Sequence, residues 1–293
     1  MAVQITTHNG QFHADEVLAY TMLNTIFPIN TLSRTRDKLI IDKSDIVVDV
    51  GMVYDPDNNK FDHHQENCKE IFPQSNIPMS SAGMVYLKYG KEYLKKITNN
   101  DVKDELYYDV YNNIIKEVDA IDNGVEQSKS LAYYINTNIS KMIARFNGED
   151  VYNNDEQMKR FINAHLFMKQ TLEIIIMDLY SKQKLFDNEY TKMKKIMESS
   201  KTNYIVVDFD CINWYKCVDT YCKSNQKQHF DWIIYKDSSN WRIRTITKNS
   251  KKLHTEEYYK QHVTKPDEII FVHKGLFIGC AKTLKTVLEM ANL

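Results

Sequence analysis

Glycine and proline are scarce in this chain, which has only 8 Gly and 5 Pro in 293 residues. Disordered and low-complexity segments are rich in such residues, so the scarcity predicts a chain folded over most of its length. An excess of charge of either sign is also missing. The 38 Lys and Arg balance 39 Asp and Glu to leave a net charge of −1, so no whole-molecule field draws in a polyanion and any nucleic-acid binding must be local. The 5 cysteines, Cys68, Cys211, Cys217, Cys222 and Cys280, are scattered without CxxC pairing. That spacing argues against a zinc ribbon or a disulfide framework and fits a reducing compartment. The chain has neither an apolar run of about 18 residues nor a signal-peptide core, and Val3 to Thr7 already reads as a strand. The expectation is a cytoplasmic or nuclear protein with no membrane span.

The hydrophobic pattern predicts an α/β fold. Val3 to Thr7 is β-rich, Asp15 to Phe27 has the apolar spacing of an amphipathic helix, and Thr31 to Thr35 and Ile46 to Val50 supply two further strands. This alternation predicts an open, mainly parallel sheet flanked by helices, in which ligands lie at the C-terminal ends of the strands. Val53 to His63 reads as a hairpin turning at Asp57, Asn58 and Asn59. Ser81 to Ile97 and Val102 to Ile121 read as helices, the second stopped by Asn123 and Gly124. Apolar periodicity from Met158 to Leu179 predicts a long helix continuing to Ser200. Beyond it come a strand at Tyr204 to Asp208, a hairpin of Trp232 to Tyr235 with Trp241 to Ile246, strands Ile269 to Val272 and Leu276 to Ile278, and a helix from Lys282 to Met290. The expected organisation is a metal-binding domain at 1–150, a helical connector at 151–200 and a smaller α/β substrate domain at 201–293.

Four of the nine histidines fall within the first 64 residues, each near a carboxylate. His8, His13 and Asp15 follow the first strand, Asp49 ends the third, Asp62, His63 and His64 follow the hairpin, and Asp119 and Asp122 end a helix. Any one of these has an ordinary reading as a cap, a turn residue or a solvated carboxylate. Together they place imidazole nitrogen and carboxylate oxygen from four segments at expected sheet ends, with no thiolate. That donor set suits Mn²⁺ or Mg²⁺, with Zn²⁺, Fe²⁺ or Co²⁺ also compatible. A carboxylate shared by two ions about 3.5–4 Å apart forms the clamp used in phosphoryl displacement, and Asp49 is the bridging candidate.

The runs THNGQFHADE (7–16), RTRD (34–37), IVVDVGMVYDP (46–56), FDHHQ (61–65), SSAGMVY (80–86) and EVDAIDNG (117–124) resemble, in order and spacing, successive motifs of the Myg exonuclease family, a branch of the DHH phosphoesterases. The resemblance continues through TNISKMIARFN (137–147), WIIYKDSSNWRIRTI (232–246) and FVHKGLFIGCAKT (271–283). It implies a 3′ to 5′ RNA exonuclease with two divalent ions, Mn²⁺ before Mg²⁺, acting on single-stranded RNA or short oligonucleotides. Carried over position by position, it implies metal ligands at His8, His13, Asp15, Asp49 and His63, and at Asp119 or Asp122. His64 would face the scissile phosphate, and Asp62 would orient a histidine.

Arg34 and Arg36 are candidates for holding phosphate oxygens, with a surface ion pair to Asp37 as the alternative. Ser80 and Ser81 precede Gly83 at a helix start, a position that suits either an anion site or an ordinary cap. The family's substrate-gripping segment corresponds to His273, Lys274, Gly275, Gly279, Lys282 and Thr283, although Cys280 stands where the family tends to have glycine. Two other functions fit the same residues. One is a DHH-type hydrolase of small phosphoanhydrides or dinucleotides; the other is a catalytically dead nucleic-acid-binding relative.

Overall fold

The computed structural model describes residues 2–66, 68–149, 153–225 and 229–293. They divide into two compact units, Met1–Ser181 and Lys182–Leu293. No helix among the described residues is long and apolar enough to cross a membrane.

The first unit is built on a five-stranded sheet of order β2-β1-β3-β5-β4. Its strands are β1 (Val3–Thr7), β2 (Asn30–Arg34), β3 (Ile46–Val48), β4 (Tyr54–Asp55) and β5 (Lys60–Phe61). Strands β2, β1, β3 and β5 run parallel and only β4 is antiparallel, so the sheet is mainly parallel, as the alternating pattern requires. The hairpin forms as its residues dictate. Tyr54 pairs with Phe61, and a short 3₁₀ turn at Pro56–Asn58 leads into Asn59, whose φ of 56° suits an asparagine.

Helix α1 (Ala14–Ile26) is buried on nearly every side rather than along one stripe, because it packs against α3 (Ser81–Thr98) and also meets α5 (Lys116–Asp122) and α6 (Ile139–Ala144). Its polar residues go inside for stated reasons. Thr21 donates to the Val17 carbonyl and contacts His165 Nδ1, while Asp15 and Glu16 turn toward the sheet edge described below. A four-residue helix α2 (Lys38–Ile41) starts at Asp37, whose carboxylate accepts from the Leu39 N–H. The helix expected across Val102 to Ile121 is one helical rod in three parts: α4 (Asp104–Val110), a π-helical turn at Tyr111–Ile115, and α5. Apolar spacing alone does not register the wider turn.

Helix α7 (Asn154–Ser199) runs unbroken over the segment expected as a connector, whose residues 151 and 152 lie outside the described ones. Phe161, Ala164, Met168, Leu172 and Ile176 belong to the first unit's core, whereas Met193 and Met197 belong to a core of the second.

The second unit carries a sheet of order β6-β7-β8-β10-β9, from β6 (Tyr204–Val207), β7 (Trp232–Asp237), β8 (Asn240–Thr245), β9 (Ile269–Val272) and β10 (Ile278–Ala281). Only the β6 and β7 pair is parallel. Helices α8 (Trp214–Ser224), α9 (Glu256–His262) and α10 (Leu284–Asn292) complete it. The strand expected at Leu276 to Ile278 begins two residues later. Residues His273 to Phe277 are spent on the turn, closed by Leu276 N–H to the His273 carbonyl, with Leu276 at a φ of 57°. Likewise α10 starts after Thr283, whose hydroxyl accepts from the Thr286 N–H as its N-cap.

Candidate metal centre

Because β1, β3 and β5 are parallel, their C-terminal ends open onto one edge of the sheet, and the segments leaving them carry the candidate ligands. His8 follows β1 directly. The chain then turns through Gly10 (φ 86°) into His13, the N-cap of α1, whose backbone N–H donates to both Glu16 carboxylate oxygens at 3.0 and 2.9 Å. Asp49 follows β3 with a φ of 56°, a left-handed conformation that aspartate tolerates better than most residues. Its N–H donates to the Phe61 carbonyl at 2.9 Å, which fastens it beside β5. That strand delivers Asp62, His63 and His64, and the last residue of α5 delivers Asp122.

Asp49 lies at the middle of the cluster. His8 Nε2 is 3.3 Å from its Oδ2, and His63 Nε2 and His64 Nδ1 are 3.5 and 3.4 Å from its Oδ1. His8 Nε2 also lies 2.9 Å from Glu16 Oε1, and His63 Nε2 lies 3.0 Å from Asp122 Oδ2. Three sets of donor atoms each gather within 4.8 Å: His8, His13, Glu16 and Asp49; Asp49, His63 and His64; and His13, Asp15 and Asp122. Asp49 is common to the first two sets, and His13 to the first and third.

The electrostatics are those of crowded buried acids. Asp15 is fully buried and both its oxygens lack a hydrogen-bond partner. Burial, followed by the charges of Asp49, Asp122 and Glu16, pushes its carboxyl well above the usual range. Burial would lower the His8 imidazole, but hydrogen bonds to Asp49 and Glu16 outweigh it and carry the pKa up to about 10. His63 is likewise carried up to about 10 by Asp122 and Asp49 against its own burial. Burial would raise Asp49, yet hydrogen bonds from His63 and His8 hold it below the usual carboxylate range. Without metal, protons on two imidazoles are the cations nearest these acids. A buried carboxylate with no donor among several other acids is a poor arrangement unless cations join it, so the oxygen and nitrogen donor set fits divalent ions.

Asp62 stands behind the cluster. Its Oδ1 accepts from His64 Nδ1 at 2.8 Å and from the His64 N–H at 3.1 Å, and its Oδ2 accepts from the Met52 N–H at 2.6 Å. Its hydrogen bond to His64 raises the imidazole pKa. The His64 side chain remains 54% exposed, so its other ring nitrogen faces outward.

Asp119 and Asp122 separate here. Asp122 joins the donor sets, whereas Asp119 is turned to the start of α3. There its Oδ1 accepts from Ser80 N–H (3.0 Å), Ser80 Oγ (2.7 Å) and Gly83 N–H (3.1 Å), and its Oδ2 accepts from Tyr111 Oη (3.2 Å). The anion at this helix N-terminus is therefore a carboxylate of the same chain, which corrects the expectation of a phosphate cradle at Ser80 and Ser81. Both serines are fully buried, and Ser81 Oγ donates to Asp49 Oδ1 at 3.1 Å.

Arg34 is also spent internally. Its guanidinium donates to the Gly10 and Gln157 carbonyls at 2.8 and 3.3 Å and lies 5.2 and 4.9 Å from the ring centres of Phe12 and Phe161. It braces the loop between β1 and α1. Arg36 is exposed beyond the end of β2.

In the second unit, His273 Nδ1 accepts from the Gly275 N–H at 2.9 Å and its ring lies 4.4 Å from that of Phe277. Lys274 and Lys282 are exposed. Gly279 is buried in β10, where a Cβ would lie 3.0 Å from Met290 Cε. Thr283 caps α10 and its hydroxyl donates to Glu268. Glu16 carries no role in the sequence reading but sits inside the cluster. Its signal is the spacing from His13, since the third helical position is where an acid reaches back to the N-cap.

Comparison with known proteins places these residues among relatives. The family model MYG1_exonuc, "Uncharacterised protein family (UPF0160)", matches residues 4–293. The MYG1 protein of Dictyostelium discoideum is 30% identical, over 98% of this chain and 94% of that protein. The MYG1 exonuclease of Homo sapiens is 27% identical, over 99% of this chain and 85% of that protein. Among solved structures, RecJ of Thermus thermophilus in complex with Mn²⁺ aligns with a TM-score of 0.29 at 11% identity, over 99% of this chain. The chain spans about half of RecJ, 51% of its length.

Proposed function

This chain belongs to the MYG1 exonuclease family, and we propose that it is a two-metal-dependent phosphodiester hydrolase that shortens single-stranded RNA from the 3′ end. The observation that carries the reading is the meeting of Asp15, Asp49 and Asp122 with His8, His13 and His63 at one sheet edge, centred on a carboxylate common to two donor sets. A relative named as an exonuclease supports the nuclease class.

Asp49 would hold both ions, with His8, His13 and Glu16 on one side and His63 on the other, and Asp15 and Asp122 would add donors beside His13. Divalent ions there supply Lewis-acid polarisation of a phosphoryl oxygen and a more acidic water. The chain's own residues do the rest. Glu16 and Ser81 hold His8 and Asp49 in place. Asp62 fixes His64 through Nδ1, which leaves the outward nitrogen to donate to an oxygen of the scissile phosphate as its charge grows. Ser81, fully buried, covers Asp49 on the side of α3.

The test is hydrolysis of 5′-labelled single-stranded RNA with Mn²⁺ by wild type, Asp49→Asn and His63→Ala. A ladder shortening from the 3′ end that is lost in both variants is the expected result. Intact RNA from a preparation that hydrolyses dinucleotides or a phosphoanhydride would move the substrate to small molecules. No turnover of any phosphoester by metal-loaded protein would end the enzyme reading.

A further inference from the structure

The three histidine-rich donor sets are not the only gathering of metal-ligand chemistry among the described residues. In the second unit, donor atoms of Glu189, Cys211 and Cys217 also lie within 4.8 Å of one another. The two sulfurs are six positions apart in sequence and have no CxxC spacing, so sequence alone does not pair them. Folding does, because the chain leaves β6, places Cys211 in the turn before α8, and brings Cys217 round in the first turns of that helix. Glu189 reaches them from α7.

We propose that Glu189, Cys211 and Cys217 form a second metal site, separate from the histidine and aspartate centre, that takes a thiophilic divalent ion of the Zn²⁺ class.

Three features support it. First, the carboxylate is already aimed. Ile212 N–H donates to Glu189 Oε1 at 3.0 Å, while Asn213 N–H and Asn213 Nδ2 donate to Oε2 at 2.9 and 2.8 Å. Fixing a ligand through outer hydrogen bonds is what makes a metal site selective. Second, the sulfurs are free thiols, with Cys217 buried among Met193, Met197, Val218 and Tyr221 and Cys211 half-buried beside them. The buried sulfur is shielded from bulk oxidant, and the half-buried one leaves a way in. Third, a zinc to sulfur bond of about 2.3 Å in a tetrahedral site separates two sulfurs by about 3.8 Å, and the three donor atoms already lie within 4.8 Å of one another.

Binding costs two protons. Each thiol releases its hydrogen to solvent as the ion takes its place, so M²⁺ and two R–SH give M(SR)₂ and two H⁺, with Glu189 as third donor and water in the fourth position. No electron moves, and no oxidant is needed. The donor set also divides the two centres by softness: thiolates select the zinc class, while imidazole and carboxylate leave the first centre to harder ions.

The test uses the full chain, reduced, freed of reductant and stripped of metal, titrated with cadmium chloride while the ultraviolet thiolate-to-cadmium charge-transfer band is followed. The histidine and aspartate centre has no sulfur and is silent in that band. Saturation at one ion per chain is expected, with affinity lowered about tenfold or more in Glu189→Gln. The band should vanish in Cys211→Ser and in Cys217→Ser and persist in Cys222→Ser. Because Cys217 is a core residue, Cys211→Ser decides if the other variant fails to fold. Two results overturn the proposal: no band from wild type whose 5 cysteines all titrate as thiols, or an unchanged band in Cys211→Ser. A Cys211 to Cys217 disulfide that forms in air, with no cadmium band after re-reduction, would also overturn it and assign the pair to redox chemistry.

Discussion

A Cβ added to Gly83 would lie 2.3 Å from Asp119 Oδ2, while the Gly83 N–H donates to Oδ1 of the same carboxylate at 3.1 Å. The missing side chain lets a buried carboxylate from one helix cap another. Burial pushes the Asp119 carboxyl up to about 7, against hydrogen bonds from Ser80, Tyr111 and Gly83 that hold it down. Gly83→Ala is expected to destabilise the protein by about 1–3 kcal/mol through overpacking, read as a lower urea midpoint. A change below about 0.5 kcal/mol would show that α3 and Asp119 part without cost.

Asp15→Asn should trade activity for stability. With both oxygens orphaned among other acids, the residue burdens the metal-free protein, and a neutral amide relieves the repulsion. In chelator at pH 8 the variant should gain about 1 kcal/mol, a rise of roughly 2–4 °C in Tm, while losing RNA hydrolysis. A variant that is both inactive and less stable than wild type would contradict this account of Asp15.

The two raised imidazoles fix a pH dependence. A histidine whose folded pKa lies above its unfolded value contributes stability that is complete below the unfolded value and lost as pH rises through the folded one. For His8 and His63 that window runs from 6.5 to about 10. The Tm in chelator should therefore fall between these values, and Mn²⁺ should flatten the fall by taking the place of the protons. A flat profile without metal would remove the imidazolium pairing.

Asp62→Asn should act on turnover rather than on metal. The carboxylate touches His64 and the Met52 N–H, so an amide misorients the imidazole and lowers its pKa. Expected are a kcat lower by about 10–100-fold, nearly unchanged Mn²⁺ affinity, and an alkaline limb of the rate profile shifted to lower pH, because the donating imidazole must be protonated. Equal loss of metal would make Asp62 a ligand instead.

Arg34→Ala separates a brace from a phosphate clamp. Its guanidinium is committed to the Gly10 and Gln157 carbonyls, so the variant should lose about 1–3 kcal/mol of stability. Its KM for RNA should stay near that of wild type. A raised KM with unchanged stability would return the residue to the substrate.

Much of this is legible in the sequence, for physical reasons. Strand β1, the hairpin carrying Phe61 and the long helix α7 announce themselves because side-chain period and turn chemistry are local properties. The convergence of His8, Asp49 and His63 is legible because parallel strands must end on a common edge. Other features depend on what lies across the fold. Glu16 looks like half of a helix cap until His8 is placed against it. Ser80 and Ser81 look like an anion site, and only the arrival of Asp119 shows that the anion is internal. Asp119 and Asp122 are indistinguishable by spacing, and three residues of separation in a helix do not say which one faces the sheet. Cys211 and Cys217 meet through a turn whose direction no periodicity encodes.

The π-helical turn at Tyr111–Ile115 sets which way the two aspartates are turned, Asp119 toward Gly83 and Asp122 toward His63. A wider turn holds one residue more than an α-turn, so everything beyond it is rotated by about 100° relative to an uninterrupted helix. Closing the turn to a regular α-turn with every residue kept would swing Asp119 away from Gly83 and Asp122 away from His63 together, whereas deleting one residue there, such as the exposed Asn112, would give a regular rod with both aspartates still in phase. The extra residue works as a phase setting between the hydrophobic seam of α4 and the acidic end of α5. The stretch should accept many changes of residue identity at its exposed positions and the loss of one residue, but not the gain of one.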